Sequence, residues 1–342
     1  MRCTCHFRNL MIGVIIWSLL LAGCSIPQIS ENQTKSAQTT IDETLINFEV
    51  TLPAALLPGE SIILAILDEV SGLAFNQQLI PLQAVDSLHY TTTIQARIGS
   101  VLKYRYLRQG TYTVQEHLPN GQPVRYRMHH VTTQAAIVDL VSRWTDTIFT
   151  GDSGRIFGTV TDDQTDQPIP NLLVTAGGLQ TITTADGAYL LEELPPGTHN
   201  LVIYAQNGEY QTFQQGAAVA PGASTPADVS LTKAKFVEIT FKVSIPPNTN
   251  AAAPLRLAGN LAQLGNTFAD LSGGVSTLAS RMPVIHVGAD GSCSLTLFLP
   301  VGADLRYKYT LGDGIWNAEY NAAGFMQLRQ LIIPDQALTI ED

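Results

Sequence analysis

The stretch LRYKYTLGDGIWNAE, Leu305 to Glu319, restates an earlier one, LKYRYLRQGTYTVQE, Leu102 to Glu116. With Ile98 set against Val301, an offset of 203 holds for 19 residues without a gap. Gly99 meets Gly302, Leu102 meets Leu305, Tyr104 meets Tyr307, Tyr106 meets Tyr309 and Glu116 meets Glu319. Lys103 and Arg105 meet Arg306 and Lys308, an exchange that keeps the charge, and Gly121 meets Gly324 in the next turn. Apolar and polar residues alternate through both copies with period two, the signature of a half-buried strand.

Further upstream, FEVTLP at Phe48 resembles FKVSIP at Phe241, now at an offset of 193. The later copy therefore carries about ten extra residues between its first strand and the shared core. Agreement in order, with the length difference confined to a loop, argues for two homologous domains. The alternative is a pair of unrelated sandwich edges with similar amphipathic strands.

The same strand grammar fills the chain beyond Thr44. YTTTIQARI, YRMHHVTT, GRIFGTVTD, HNLVIYAQ, FVEITFKVSIP and SLTLFLP alternate and are rich in β-branched and aromatic residues. Asn120-Gly121, Asp186-Gly187 and Asp290-Gly291 punctuate them, pairs that favour the type I′ hairpin turn. Only Leu261 to Met282 hints at helix, and its glycines limit it to a short turn. The expected fold class is all-β, a tandem of immunoglobulin-like and transthyretin-like sandwiches.

The N-terminus predicts export. Arg2 and Arg8 precede an apolar run from Leu10 to Gly23, too short to span a bilayer and typical of a signal peptide. Leu20 to Cys24 reads LLAGC and resembles a bacterial lipobox, which implies cleavage before Cys24 and lipidation of that cysteine. The other reading is an ordinary secretory signal with a chance cysteine. The expected location is the cell envelope, anchored by lipid on Cys24 and facing away from the cytoplasm, at the cell surface or outer membrane. Ser25 is not Asp, which in lipoproteins of double-membraned bacteria implies export outward.

Cys3 and Cys5 leave with the signal, so Cys293 alone remains beside the lipidated residue and no intramolecular disulfide is expected. Alternation places Cys293 in a buried strand. Charged residues make up 14% of the chain and the formal net charge is −10, a balance that argues against nucleic acid as a partner.

Between the duplicated units, residues 154–234 contain GTVTD, PIPNLLV, TTADGAYLLEELPPGTHNLVI and a closing VSL. This unit resembles the carboxypeptidase regulatory-like domain, a transthyretin-like sandwich. The resemblance implies a rigid exported module with no catalytic residues of its own. The later duplicated unit carries Gly259-Asn260, Leu264-Gly265, Tyr307-Lys308-Tyr309, Trp316 and Glu319 in an order that resembles the starch-binding domains of carbohydrate-binding module family 20. That likeness implies sugar held on Trp316 and Lys308, with Phe268 as the nearest aromatic after Leu-Gly and Asn321 in the place of a sugar-binding asparagine. Stacking of C–H faces on an indole, with polar groups at the rim, is sound chemistry for it. Phe268 is displaced by one position, and Trp316 and Glu319 are separated rather than adjacent. Trp316 therefore either packs between the last strands or meets a ligand. Lys308 is either a solvated strand residue or a sugar contact.

The earlier copy has Thr113 at the tryptophan position and lacks Gly-Asn and Leu-Gly-Asn, so it reads as a degenerate sister. Trp144 reads as domain-interface core rather than a platform.

The expected organisation is a signal peptide (1–23), a flexible tether (24–44), the degenerate starch-binding-like sandwich (45–150), the regulatory-like sandwich (154–234) and a second starch-binding-like sandwich (236–342). The last unit stops at the counterpart of Asp139, an expectation of either truncation or a ragged end. No enzyme, cofactor or metal is expected. His129-His130 are adjacent and point to opposite faces of a strand. Asp162, Asp163 and Asp166 lack the EF-hand order, and nucleophile-elbow, phosphate-loop and zinc-protease motifs are missing from the sequence. The function expected is capture of a polysaccharide or other glycan of starch or glucan type outside the cell. A structural or adhesive spacer, or accessory domains of a larger exported enzyme, are the alternatives.

Overall fold

A computed structural model describes residues 42–67, 77–250, 252–266, 278–287, 292–312, 317–325 and 327–342. It is all-β: every regular element among these residues is a strand, apart from two 3₁₀ turns at Ala262–Leu264 and Ala279–Arg281. Residues Ile41–Asp342 form one compact unit, within which six sheets pair into three sandwiches.

In the first sandwich one sheet orders Gln83–Ala84, His89–Arg97, Glu43–Thr51 and Ala135–Leu140. The other orders Arg143–Trp144, Thr113–His117, Val101–Gln109, Ser61–Ile66 and Gln78–Pro81, with Arg127–His130 also pairing on Val101–Gln109. The third sandwich repeats the plan. Phe236–Val243 lies between Cys293–Pro300 and Leu338–Glu341 in one sheet, and Asp304–Leu311 lies between Leu255–Gly259 and Arg329–Ile332 in the other. In both, the first strand pairs parallel with a late one, Val50 opposite Asp139 and Lys242 opposite Glu341. The register also locates the length difference. Ile62 opposite Arg108 matches Leu255 opposite Leu311, so the offset is still 193 at the second strand. The extra residues fall after Gly259 and before Cys293.

The duplicated phrase turns out to be the core. Tyr104 and Tyr106 are fully buried and donate their hydroxyls to Asp139 Oδ2 at 2.8 and 2.9 Å. Tyr307 and Tyr309 do the same to Asp342 Oδ2 at 3.0 and 2.7 Å. Glu116 Oε1 accepts the backbone N–H of Tyr106 at 2.8 Å, and Glu319 Oε1 that of Tyr309 at 3.1 Å. Arg127 bridges Glu116 and Asp139 at 2.8 and 3.0 Å, and Arg329 bridges Glu319 and Asp342. Phe48 meets Tyr104 edge-on at 4.9 Å, as Phe241 meets Tyr307 at 5.3 Å. Burial opposes a charge on Arg127, but Glu116 and Asp139 more than offset it and raise its pKa well above the ordinary value. Burial and the charge of Asp139 likewise push the Tyr104 and Tyr106 phenols well up, so both stay neutral donors.

The middle sandwich packs Ala188–Leu194, Gly154–Asp162 and Ser224–Pro226 against Leu179–Ile182, Leu173–Ala176, Gly197–Tyr204 and Phe213–Val219. One of its outer faces joins the first sandwich through a second core, in which Leu173 and Val202 pack with Ile63, Ala65, Val101, Tyr126 and Met128. Gln214 pairs with the backbone of His130, accepting its N–H at 2.8 Å and donating to its carbonyl at 3.3 Å. The first and third sandwiches meet where Asp304 Oδ2 accepts the N–H of Val101 at 2.9 Å. Gly99, at φ +87, lies so close to this seam that a Cβ there would stand 2.7 Å from Ile332.

Two expectations change here. Trp144 sits in the first sandwich's own core, 2% exposed, rather than between domains. The Asn120-Gly121 and Asp186-Gly187 turns are not type I′, since only the glycines have positive φ. Gly121 N–H returns to Leu118 and Leu118 N–H reaches Gln122, as Gly187 returns to Thr184 and Thr184 reaches Ala188. That pattern is a type I turn closed by a left-handed glycine, which serves a longer loop.

Candidate functional site

The site expected from sequence falls on the third sandwich. Trp316 and Phe268, like the lipidation residue Cys24, lie outside the described residues. Lys308 is 3% exposed, an interior residue of the Asp304–Leu311 strand rather than part of an open surface. Asn321 is exposed, and its side chain shapes a turn: Oδ1 accepts the backbone N–H groups of Ala323 and Phe325, both at 3.0 Å. Asn321 N–H reaches Phe325 O at 2.8 Å and Gly324 N–H returns to Asn321 O at 2.9 Å. This is the same closed turn as Leu118–Gln122 in the first copy.

The pairs that carry the starch-binding resemblance are bracing. Asn260 Nδ2 donates to Asp304 O at 2.7 Å, and its Oδ1 accepts Arg306 N–H at 2.9 Å. A Cβ on Gly259 would stand 2.6 Å from Leu264 and 2.8 Å from the carbonyl of Arg306, so the strand can pass there only as glycine. Gly265 takes φ +95 at the end of the 3₁₀ turn.

The structure also brings forward residues that the family pattern did not single out. Tyr320 and Phe325 flank the Asn321 turn, 59% and 69% exposed. At the shared offset their counterparts in the first copy are His117 and Gln122, while Asn321 replaces the buried Leu118 and Trp316 replaces Thr113. The first copy carries a different exposed ring on its hairpin, Tyr112, where the third has Ile315. The signal was present in the aligned repeat, as three positions where a polar residue becomes aromatic. Neither ring is held by the fold's own core, so both are open to solvent.

Beneath the turn, Glu319, Arg329 and Asp342 are 25%, 22% and 14% exposed, against 1%, 4% and 7% for Glu116, Arg127 and Asp139. Beside them lies a cavity of about 280 Å³ lined by Ile245, Leu255, Tyr309, Glu319, Tyr320 and Arg329, among others.

Elsewhere, among the described residues, no His/Cys/Asp/Glu group is arranged to hold a metal. Asp162 accepts backbone N–H groups of Gln164 and Thr165, the Tyr210 hydroxyl and Lys233, which account for its lowered pKa without an ion. Cys293 is a buried free thiol.

Comparison with known proteins agrees with this architecture at the level of modules. Residues 155–232 match the carboxypeptidase regulatory-like domain. No curated protein matches the chain. Among solved structures, the chain is similar to the Bacillus anthracis TIE protein (12% identity, 88% of this chain and 50% of that one, TM-score 0.22). It is also similar to a family 15 glucoamylase from Hypocrea jecorina (17% identity, 30% and 17%, TM-score 0.23). A third likeness is to a streptococcal ancillary pilin (10% identity, 88% and 98%, TM-score 0.28). The chain spans about half the length of the first and a sixth of the second. These likenesses are distant.

Proposed function

We propose that this chain is a non-catalytic, lipid-anchored surface protein that binds glycans, of starch or glucan type, through the aromatic hairpin of its third sandwich. The observation that carries the reading is the exposed pair Tyr320 and Phe325 around the Asn321 turn, absent from the first copy. Trp316, four residues before Tyr320, adds an indole to the same hairpin sequence. Pyranose C–H faces stack on such rings, and neighbouring polar groups orient the hydroxyls. Lys308 is not part of this reading, because its burial leaves it no open face. The first sandwich serves as a structural sister, and the middle one as a spacer locked to it. The test is a glycan array and an insoluble-starch pull-down with the full chain beside Phe325→Ala and Trp316→Ala. Retention that either variant weakens, with unchanged folding, supports the proposal. Absence of binding to any glycan sinks it.

A second reading, a structural or adhesive spacer, is favoured by the interdomain core around Leu173, Val202 and Tyr126, which fixes two sandwiches to each other. It expects the aromatic hairpin to contact protein rather than sugar.

A further inference from the structure

All three sandwiches border one cavity of about 410 Å³. Each pair of them is clasped separately around it. Gln214 of the middle sandwich accepts the N–H of His130 in the first at 2.8 Å and donates to its carbonyl at 3.3 Å. Asp304 Oδ2 of the third accepts the N–H of Val101 in the first at 2.9 Å. Gln263 Nε2 of the third donates to Asn207 O of the middle at 2.8 Å. Beside that bond Gly208, at φ +71, passes so near the third sandwich that a Cβ would stand 2.3 Å from Pro300. The walls are thus fixed before anything enters. The volume falls in the range of about 300–1,000 Å³ that small-molecule sites occupy, and such sites favour domain junctions.

The lining is aromatic and polar, and its charge is spent. Tyr204 and Tyr210 bring half-buried rings from the middle sandwich. The Tyr210 hydroxyl is pinned to Asp162 Oδ2 at 3.0 Å. Asp304 is a carboxylate on the wall, but Val101 N–H, Arg306 and Gln330 already occupy its oxygens. Among the described residues no lysine or arginine lines the cavity. An anion would find no cation there, and a cation would find only a carboxylate already paired. His130 hydrogen-bonds through its backbone, and its half-buried ring lines the cavity. Burial lowers its pKa, against the opposing charge of Asp304, so the ring is neutral at pH 7 and offers one donor and one acceptor. Thr132, Thr212 and Gln211 add two hydroxyls and an amide. Such groups meet hydroxyls as donors and acceptors alike, while tyrosine rings meet C–H faces.

We propose that this junction cavity binds a neutral mono- or disaccharide, its C–H face against Tyr204 and Tyr210 and its hydroxyls on His130, Gln211 and Thr212. The site is separate from the hairpin of the third sandwich, since no residue of 317–325 lines it. It therefore stands or falls apart from capture of a polysaccharide.

The probes are glucose, galactose, maltose and cellobiose, titrated into the full chain by calorimetry, with glucuronate beside them. Saturable binding of at least one neutral sugar is expected, with a Kd below about 10 mM. His130→Leu should weaken it at least tenfold, and Gln211→Trp, at the exposed rim, should block it. Phe325→Ala should leave it unchanged, whereas the insoluble-starch pull-down reads the hairpin, so the two sites fail separately. Folding of the variants is checked by circular dichroism and thermal melting; should His130→Leu misfold, Gln211→Trp carries the test. No saturation with any neutral sugar, or binding unchanged in both cavity variants, would overturn the proposal. So would glucuronate bound as tightly as glucose, or loss of binding in Phe325→Ala, which would place the sugar on the hairpin.

Discussion

The first and third sandwiches are built around the same five side chains, yet one buries them and the other leaves them partly open. Arg127 is enclosed between Glu116 and Asp139, with a further hydrogen bond to Leu140 O at 2.8 Å. Arg329 makes the same ion pairs at a groove. A buried guanidinium loses its hydration, and only close, complete pairing compensates. The same cluster at an open edge loses less water and holds less tightly. The difference teaches that the duplicated residues specify the fold in both copies at quite different degrees of exposure.

The comparison can be broken most directly by removing the arginines. Arg127→Met leaves two buried carboxylates unpaired and should cost the first sandwich about 3–5 kcal/mol. Arg329→Met should cost about 1–2 kcal/mol, because water reaches Glu319 and Asp342. Urea denaturation of both variants checks the asymmetry, and equal losses would contradict it.

Acid should expose the seam on the first sandwich's other side. His129 is buried with Nδ1 lacking a hydrogen-bond partner, and burial lowers its pKa to about 4. Asp139 works against that shift and His130 adds to it. The unfolded chain, with an ordinary histidine, binds the proton first. Stability is therefore complete above about pH 6.5 and falls as pH drops toward 4, by about 3 kcal/mol from this group. His199, also at this interface and lowered by burial, acts in the same direction. Denaturation midpoints at pH 7.5 and 4.5 check the slope, which His129→Gln should flatten.

Tyrosine hydroxyls give a smaller contrast. Tyr106→Phe removes a buried donor to Asp139 and should cost about 1–3 kcal/mol. Tyr309→Phe should cost about 1 kcal/mol or less, since Asp342 is more open to water than Asp139. Thermal melts of the pair test whether the openness of the third copy weakens its core hydrogen bonds.

Much of this was legible in the sequence for a physical reason. A duplicated strand keeps its letters where side chains meet each other, so Tyr104/Tyr307, Tyr106/Tyr309 and Glu116/Glu319 stood out as pairs. Their arginine partners did not. Arg127 and Arg329 sit 11 and 10 residues beyond the glutamates, a one-residue slip that breaks a gapless alignment. Pairing across strands, Tyr104 opposite Arg127 and Tyr307 opposite Arg329, restores the match. The family pattern drew attention to Lys308, whose charge suggested a rim but whose strand is covered on both faces. It passed over Tyr320 and Phe325, which stand out only against their sister residues. Asn120 and Asp186 suggested a two-residue turn, but hydrogen bonding closes a longer loop in which they keep negative φ.

We propose that the third copy recognises glycan by Trp316, Tyr320 and Phe325, which its sister replaces with Thr113, His117 and Gln122. The direct measurement converts one into the other: Trp316→Thr, Tyr320→His and Phe325→Gln together, substitutions the first copy already carries on the same hairpin. Affinity electrophoresis on soluble starch and a panel of glucans should show retardation of the parent chain and none of the triple variant, with the two melting at the same temperature. Equal retardation of both, or retardation of neither by any glycan, would contradict the claim.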